Sequence, residues 1–402
     1  MQAVILAGGL GTRLGKLTEQ KPKPLLDVAG RPFLDWFVAN LERYQFDSIL
    51  VLAGHRGAQI DDFVKSRRCA VPTDVTIERE PQGTGGALLE ARDRLEPEFL
   101  MLNGDSLFDF NYLDLMVRAP RQCLAALGLR RVQDASRFGA VRVDGDEVVA
   151  FGEKQSSGPG LVNGGVYFLR RELLRFIPSR ASLERDVFPK LSRGSLSGLV
   201  YDGFFLDIGT PDAYALAQHD VPLHFRRPAA FLDRDGTLNE DSGYTHKVEE
   251  FHWLPAARET IKALNDLGYL VVVITNQAGV ARGFYTEKDV QSLHRWMTED
   301  LRVVGAHIDA FYYCPHHPTE GVGEYRAVCD CRKPRPGLIL RAVQDWNIDI
   351  HHSLAVGNEL SDSEAFRIAG VGCVCRSLRE LVSQASNCAV TGRSAHRSGE
   401  FD

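Results

Sequence analysis

In Phe231-Leu232-Asp233-Arg234-Asp235-Gly236-Thr237, two carboxylates stand two residues apart at the end of an apolar run. Alternate residues of a strand share a face, so Asp233 and Asp235 can address one site. One carboxylate can attack phosphorus while the other handles the proton. Alone, the pattern also fits an ordinary Asp-rich turn. Near the start, Gly8, Gly9 and Gly11 interrupt Leu6–Leu14, with Thr12 and Arg13 beside them. Glycines let backbone N–H groups approach a phosphate, and an arginine adds a charge-assisted contact. The prolines of Lys21-Pro22-Lys23-Pro24 stiffen that segment, so Lys23 can serve as a phosphate clamp. Far downstream, Cys314-Pro315-His316 and Cys329-Asp330-Cys331 make a C-x-H-x12-C-x-C set. Cys314, His316, Cys329 and Cys331 supply four ligands for tetrahedral Zn²⁺ and leave no open position, so the zinc is structural. His317 is the neighbouring alternative to His316. Arg332 and Lys333 follow at once, where the zinc loop can aim them at a phosphate and at the attacking carboxylate.

These groups need elements to carry them. Gln2 to Leu6 reads as a first strand running into the glycines, and Phe33, Leu34, Phe37, Val38 and Leu41 fall at helical spacing. Ser48 to Leu52 is a strand. Gly83-Thr84-Gly85-Gly86 is a second glycine-rich turn, able to read a base edge or a ribose. Asp105 follows the apolar run Phe99 to Leu102, and Asp207 follows Phe204 to Leu206. Open α/β sheets bind ligands at such strand ends, and two carboxylates there can hold Mg²⁺. Glu153, Lys154 and Asn163 lie beside strands between them, as a sugar pocket needs. Beyond an aperiodic segment at 219–228, a fresh α/β unit begins. Pro255 to Gly268 is a helix with Ala257, Ile261, Leu264 and Leu267 on one face. Tyr269 to Ile274 is an apolar strand of the kind found inside parallel sheets, ending at Thr275-Asn276-Gln277. The hydroxyl of Thr275 can bond a phosphoryl oxygen. Another strand ends at Asn358-Glu359-Leu360-Ser361-Asp362.

Composition bounds the answer. The chain is 44% hydrophobic and 25% charged, an ordinary globular mix long enough for two or three domains. A net charge of −6 gives no footprint for nucleic acid. No apolar run approaches the ~20 residues of a membrane span. The start lacks a basic leader, so the expectation is a cytoplasmic protein. Eight cysteines, three of them clustered at 314–331, suit a reducing compartment with one metal site better than a disulfide framework. Ser383 to Asp402 is polar with little periodicity and reads as a mobile tail. The sequence allows a homo-oligomer.

Taken in order, Gly-Gly-x-Gly-Thr-Arg-Leu, Pro-Lys-Pro, Gly-Thr-Gly-Gly-Ala, Asn-Gly-Asp, Glu-Lys, Asn-Gly-Gly-Val-Tyr and Asp-Ile-Gly-Thr-Pro resemble the sugar-1-phosphate nucleotidylyltransferases over about residues 1–220. Within that family the wording is most similar to the D-glycero-D-manno-heptose 1-phosphate guanylyltransferases. The resemblance implies a Rossmann-like fold in which a sugar 1-phosphate oxygen attacks the α-phosphorus of an NTP. It implies that Arg13 and Lys23 steady the triphosphate, that Asp105 and Asp207 hold Mg²⁺, and that Glu153, Lys154 and Asn163 meet the sugar phosphate. Gln82 stands where that family has an apolar residue.

Asp233-Arg234-Asp235-Gly236-Thr237, Thr275-Asn276-Gln277, Gly279-Val280-Ala281-Arg282-Gly283, the zinc loop and Cys331-Arg332-Lys333-Pro334 resemble the haloacid dehalogenase-type phosphatases. They are most similar to the D-glycero-D-manno-heptose 1,7-bisphosphate 7-phosphatases, over about residues 226–385. The resemblance implies that Asp233 is the nucleophile and Asp235 the acid/base. Thr275 and Lys333 would hold the phosphoryl group, with Asn276, Arg282 and Arg332 toward the substrate. Asp233, Asp235 and Asn358 would hold a second Mg²⁺. The family has Asp at position 358; Asn can ligate through its carbonyl but brings no charge.

The expected architecture is two Rossmann-like, three-layer α/β domains with mainly parallel sheets, the second with a small zinc-stabilised loop and no large cap. Their bounds are 1–220, a linker at 221–227, 228–385, and a tail at 386–402. The implied substrates are the heptose bisphosphate, heptose 1-phosphate and GTP, and the product is GDP-D-glycero-α-D-manno-heptose. Two alternatives are a transferase for another hexose 1-phosphate fused to a general sugar or histidinol phosphatase, and a catalytically inert zinc-binding second half.

Overall fold

The structure, a computed structural model, describes residues 1–136, 140–151 and 158–397, without the side chains of 389–397. The chain divides into two compact units, Met1–His224 and Phe225–Asp402. The division falls inside the segment 221–227 expected as a linker.

The first unit has strands β1 (Gln2–Ala7), β2 (Asp27–Val28), β3 (Arg31–Pro32), β4 (Ser48–Ala53), β5 (Thr73–Ile77), β6 (Glu98–Asn103), β7 (Ser106–Asp109), β8 (Ala125–Val132), β9 (Ala140–Asp144), β10 (Glu147–Phe151), β11 (Gly160–Arg170), β12 (Leu196–Tyr201) and β13 (Phe204–Asp207). Nine form one sheet in the order β5-β4-β1-β6-β11-β8-β12-β10-β9. The run from β5 to β6 is parallel, and its apolar strands are buried as a parallel sheet covered by helices requires. Beyond β6 the pairing is mixed: β11 is antiparallel to β6 and to β8, and β12 is parallel to β8. The helix Phe33–Glu42 buries the five apolar positions expected of it. A separate ribbon pairs β13 antiparallel with β7, placing Asp207 opposite Ser106.

The helix Pro211–His224 runs on through the residues expected to be irregular and contains Pro222. Its last turn is anchored by buried Val221 and by His224, which stacks on Phe204 and bonds Asp109 at 2.6 Å. Side-chain contacts here override the proline signal.

The second unit is a five-stranded, wholly parallel sheet. With β14 (Ala229–Leu232), β15 (Leu270–Asn276), β16 (Ala310–Cys314), β17 (Leu354–Val356) and β18 (Cys373–Cys375), the order is β16-β15-β14-β17-β18. The helix Ala257–Asp266 buries Ala257, Ile261 and Leu264 and is two residues shorter at each end than its periodicity suggested. β15 extends past Ile274 to include Thr275 and Asn276. The segment expected as a tail from residue 386 continues the helix Leu378–Arg397. Leu381 and Ala385, four residues apart near the start of that helix, are buried in the core of this unit. Among the described residues, no helix is long and apolar enough to cross a membrane.

Phe231 is fully buried in the central strand β14. Phe231→Ala should cost the second unit about 3–5 kcal/mol. Denaturant unfolding followed separately for the two units should show the loss there and an unchanged transition for the first.

Candidate active sites

In the first unit, β1 and β6 are parallel neighbours with Leu6 opposite Asn103, so the loops after both leave from one carboxyl edge. Gly8, Gly9 and Gly11 lie on the first loop and Asp105 on the second. Gly11 has φ +64°, and a Cβ there would meet the Thr18 side chain at 2.8 Å, so only glycine fits that corner. Thr12 and Arg13 are exposed at the start of the following short helix, Thr12–Thr18. The β7–β13 ribbon returns Asp207 to Asp105 across about a hundred residues of chain. Lys23 is buried between them, its Nζ 2.9 Å from Asp105 Oδ2 and 3.6 Å from Asp207 Oδ1. An ammonium in that place shows that the two carboxylates converge on a cation, as Mg²⁺ ligands must. Gly209 closes the cluster. A Cβ there would lie 2.7 Å from Asp207 Oδ1 and 2.9 Å from Arg13 Nη2, and its own N–H donates to Asp207 Oδ1 at 2.6 Å. The Gly-Thr after Asp207 in the sequence is the signal for this close approach.

The second glycine turn serves packing as well as any ligand. A Cβ on Gly83, at φ +79°, would meet the Ala181 carbonyl oxygen at 2.6 Å, and Gly85 N–H donates to that oxygen at 2.9 Å. This approach brings Thr84 to Glu184, whose Oε2 accepts from Thr84 Oγ1 at 3.3 Å and from Ser182 Oγ at 2.8 Å. Glu184 Oε1 accepts from Tyr167 at 2.7 Å, and Tyr167 accepts from Asn163 Nδ2 at 2.8 Å. Burial, then the Glu184 carboxylate, hold the Tyr167 phenol well above its ordinary range. Asn163 and Tyr167 sit on either side of a register shift in β11, where Gly164 and Gly165 form a bulge. Sequence reading had Thr84 and Asn163 but missed Glu184, which no motif marks. It also missed Glu78, at the end of β5. The Glu78 carboxylate lies 3.2 Å from where a Cβ of Gly8 would stand, and burial pushes its pKa up to about 7. Glu153 and Lys154 lie outside the described residues.

In the second unit, Asp233, Thr275 and Asn358 leave the adjacent strands β14, β15 and β17 at one carboxyl edge. Lys333 Nζ, almost fully buried, lies 2.5 Å from Asp233 Oδ1, 2.8 Å from Asp362 Oδ1 and 2.8 Å from the Ile274 carbonyl. Burial opposes the Lys333 charge, but Asp233 and Asp362 outweigh it and raise its pKa. With two carboxylates sharing one ammonium, burial pushes Asp233 up to about 6 despite Lys333. Asp362 is thus a core member of this cluster. The polar strand end at 358–362 was its sequence signal.

Asn276, expected toward the substrate, touches Lys333. Its Oδ1 accepts from Lys333 N at 3.1 Å and its Nδ2 donates to Lys333 O at 3.3 Å. The amide brackets the Lys333 backbone and so helps to place the lysine. Arg282 pairs with Glu320 and lies over the Tyr244 ring; Arg332 donates to the His316 carbonyl at 3.2 Å. Gly236, at φ +79°, lets Asn358 approach: a Cβ there would meet the amide at 2.5 Å. The other end of that amide faces Asp235 O at 3.1 Å and Asp233 Oδ2 at 3.2 Å, and donates to both when its nitrogen is on that side. With its oxygen there instead, three oxygens converge, a set that fits a hard cation. The ligand atoms of Cys314, His316, Cys329 and Cys331 all lie within 4.8 Å of one another, with Cys314 and Cys329 sulfurs 3.6 Å apart. That donor set and spacing fit a tetrahedral metal.

Residues 2–222, more than half of the chain, match the family model described as Nucleotidyl transferase, and residues 228–360 match one described as Polynucleotide kinase 3 phosphatase. The D-glycero-beta-D-manno-heptose-1,7-bisphosphate 7-phosphatase of Rhodopseudomonas palustris is 47% identical over 146 residues, 36% of this chain and 81% of that protein. Its Escherichia coli counterpart is 42% identical over 164 residues, 40% of this chain and 86% of that protein. The chain belongs to the nucleotidyl transferase family and, through its second half, to that of the heptose bisphosphate 7-phosphatases. It is therefore both a nucleotidyltransferase and a phosphomonoesterase. The crystal structure of HddC from Yersinia pseudotuberculosis complexed with GMP-PN is 31% identical, with a TM-score of 0.50, covering 55% of this chain and 98% of that one.

Lys333→Met would leave Asp233 and Asp362 facing each other in a buried site. It should cost about 3–5 kcal/mol, read as a lowered denaturant midpoint of the second unit.

Proposed function

We propose that this chain carries out two consecutive steps toward a nucleotide-activated heptose. The second unit removes the 7-phosphate of D-glycero-D-manno-heptose 1,7-bisphosphate. The first unit joins the remaining 1-phosphate to GMP from GTP, giving GDP-D-glycero-α-D-manno-heptose, a precursor for surface polysaccharide made in the cytoplasm. The observation that carries this reading is the pairing, on one chain, of a site resembling that of 7-phosphatases with a unit resembling a protein solved with GMP-PN.

In the phosphatase, Asp233 attacks phosphorus and forms an aspartyl-phosphate. Asp235 protonates the departing sugar oxygen and then takes a proton from the water that hydrolyses the intermediate. Thr275 and Lys333 hold the phosphoryl oxygens, and Arg282 and Arg332 face the rest of the substrate. Asp233, Asp235 and Asn358 would hold Mg²⁺, which offsets the crowding of negative charge between carboxylate and phosphate. Zn²⁺ on Cys314, His316, Cys329 and Cys331 would fix the loop that presents Arg332 and Lys333.

In the transferase, the sugar 1-phosphate oxygen attacks the α-phosphorus and pyrophosphate leaves. The glycine loop at Gly8, Gly9, Gly11 and Thr12, with Arg13 and Lys23, holds the triphosphate, and Asp105 and Asp207 would hold its Mg²⁺. The work is positioning and charge neutralisation. Gly83, Thr84 and Asn163 line the nucleotide and sugar sides. Glu153 and Lys154 are assigned to the sugar phosphate on the sequence pattern. The Glu78 carboxylate beside Gly8 suits guanine, whose N1–H and N2–H₂ donors a single carboxylate can accept together.

The purified chain given the heptose bisphosphate, Mg²⁺ and GTP should release both phosphate and pyrophosphate; release of neither would overturn the proposal. Asp233→Asn should cut phosphate release at least about 10³-fold and leave pyrophosphate release from heptose 1-phosphate intact. Asp207→Asn should do the reverse. Burial raises the Glu78 pKa, so its carboxylate form prevails only above about pH 7. The KM for GTP should therefore climb as pH falls below 7, and Glu78→Gln should weaken the preference for GTP over ATP above pH 7 and change it little well below.

A further inference from the structure

Among the described residues Arg234 is the largest fully buried side chain, between the two carboxylates of Asp233-Arg234-Asp235. A buried guanidinium must be paired, and this one grips its neighbour as a fork. Nε donates to Asp235 Oδ1 at 3.0 Å and Nη2 to Asp235 Oδ2 at 2.8 Å. Two of its three other hydrogens are also placed: Nη2 donates to the Thr245 carbonyl at 2.7 Å, and Nη1 lies 3.3 Å from His294 Nε2. Burial, then Arg234 itself, hold the pKa of His294 well below its ordinary value, so the ring is neutral and can accept. His294 is in turn stacked on Phe311, with ring centroids 4.2 Å apart.

The other faces of the Asp235 carboxylate are held from different segments. Asn239 Nδ2 donates to Oδ1 at 3.1 Å. Gln277 Nε2 donates to Oδ2 at 2.9 Å and also to Thr275 Oγ1 at 2.9 Å. The Tyr285 hydroxyl, donating to Gln277 Oε1 at 2.7 Å, fixes which end of that amide faces Asp235. An ordinary structural ion pair needs one such contact. Here Arg234 at the strand end, Asn239 in the turn after it and Gln277 just past β15 all converge on a single carboxylate, and Gln277 ties it to Thr275.

We propose that Arg234 is a positioning residue that aims the Asp235 carboxyl at the leaving oxygen, with Gln277 and Tyr285 fixing its other side. This rests on the reading of Asp235 as general acid. When the ester bond breaks, the proton passes from Asp235 to the departing oxygen as Asp233 takes the phosphoryl group. A residue that aims the acid matters only where the leaving oxygen needs that proton.

The test compares kcat/KM, which reports steps through leaving-group departure, for two esters: a sugar phosphate and 2,4-dinitrophenyl phosphate, whose phenolate leaves unprotonated. Arg234→Lys keeps the charge and loses the fork. It should lower kcat/KM for the sugar phosphate about 100-fold and leave that for the aryl phosphate little changed. Equal loss on both esters, or loss on neither, overturns the proposal. If Arg234→Lys fails to fold, Tyr285→Phe must show the same discrimination at smaller size; a uniform effect or none overturns it as well. Wild-type protein that cleaves the aryl ester but not the sugar phosphate refutes the general-acid reading instead, and cleavage of neither refutes the phosphatase assignment beneath both.

Discussion

Lys333 sits in a place where a charge has almost no water, and it stays charged because Asp233 and Asp362 face it. Neither carboxylate could be buried alone. The rest of the second unit follows from keeping those three groups together. Asn276 grips the lysine's peptide from the end of β15, the cysteine-rich loop anchors the chain just before it, and β14 and β17 deliver the two acids. The first unit has a related but more open arrangement, with Asp105 partly exposed. Lys23 is buried between Asp105 and Asp207, which arrive on different strands. In both, an ammonium balances two carboxylates that the fold brings close together.

Parallel strands make this arrangement inexpensive in chain. Neighbouring parallel strands end on the same edge, so residues far apart in sequence meet without long loops. Leu6 opposite Asn103 brings the glycine loop beside Asp105. Leu232 pairs with both Val273 and Val356, which sets Asp233 beside the Thr275 and Asn358 segments. Where pairing alone does not suffice, a special backbone does. The bulge at Gly164-Gly165 and the close approaches at Gly209 and Gly236 each admit a functional group that a side chain would block.

Much of this was legible in the order of short motifs. The D-x-D pair, the C-x-H…C-x-C spacing, the strand-end acids and the core faces of the helices beginning near Phe33 and Ala257 could be read because each depends on local period or on neighbours a few residues away. Three features could not be read locally, for one shared reason. Asn276 bonds a backbone 57 residues on; the helix at Pro211–His224 survives its proline through contacts with Phe204 and Asp109; and the helix from Leu378 is seated by Leu381 and Ala385, which find a core. In each case a distant partner outweighed the local signal.

The sequence by itself determined which groups are available: the nucleophile candidate, the phosphate-binding loop, the metal-ligating set and two α/β units to carry them. Those follow from residue type and short spacing, which the chain states directly. Only the tertiary structure decided which of these groups touch. It chose Asp362 to share Lys333, brought Glu184 and Tyr167 to Asn163, set Glu78 beside Gly8, and turned Arg234 inward onto Asp235. Those choices depend on strand order and burial, and a buried charge accepts only the partner that the fold places within hydrogen-bonding reach.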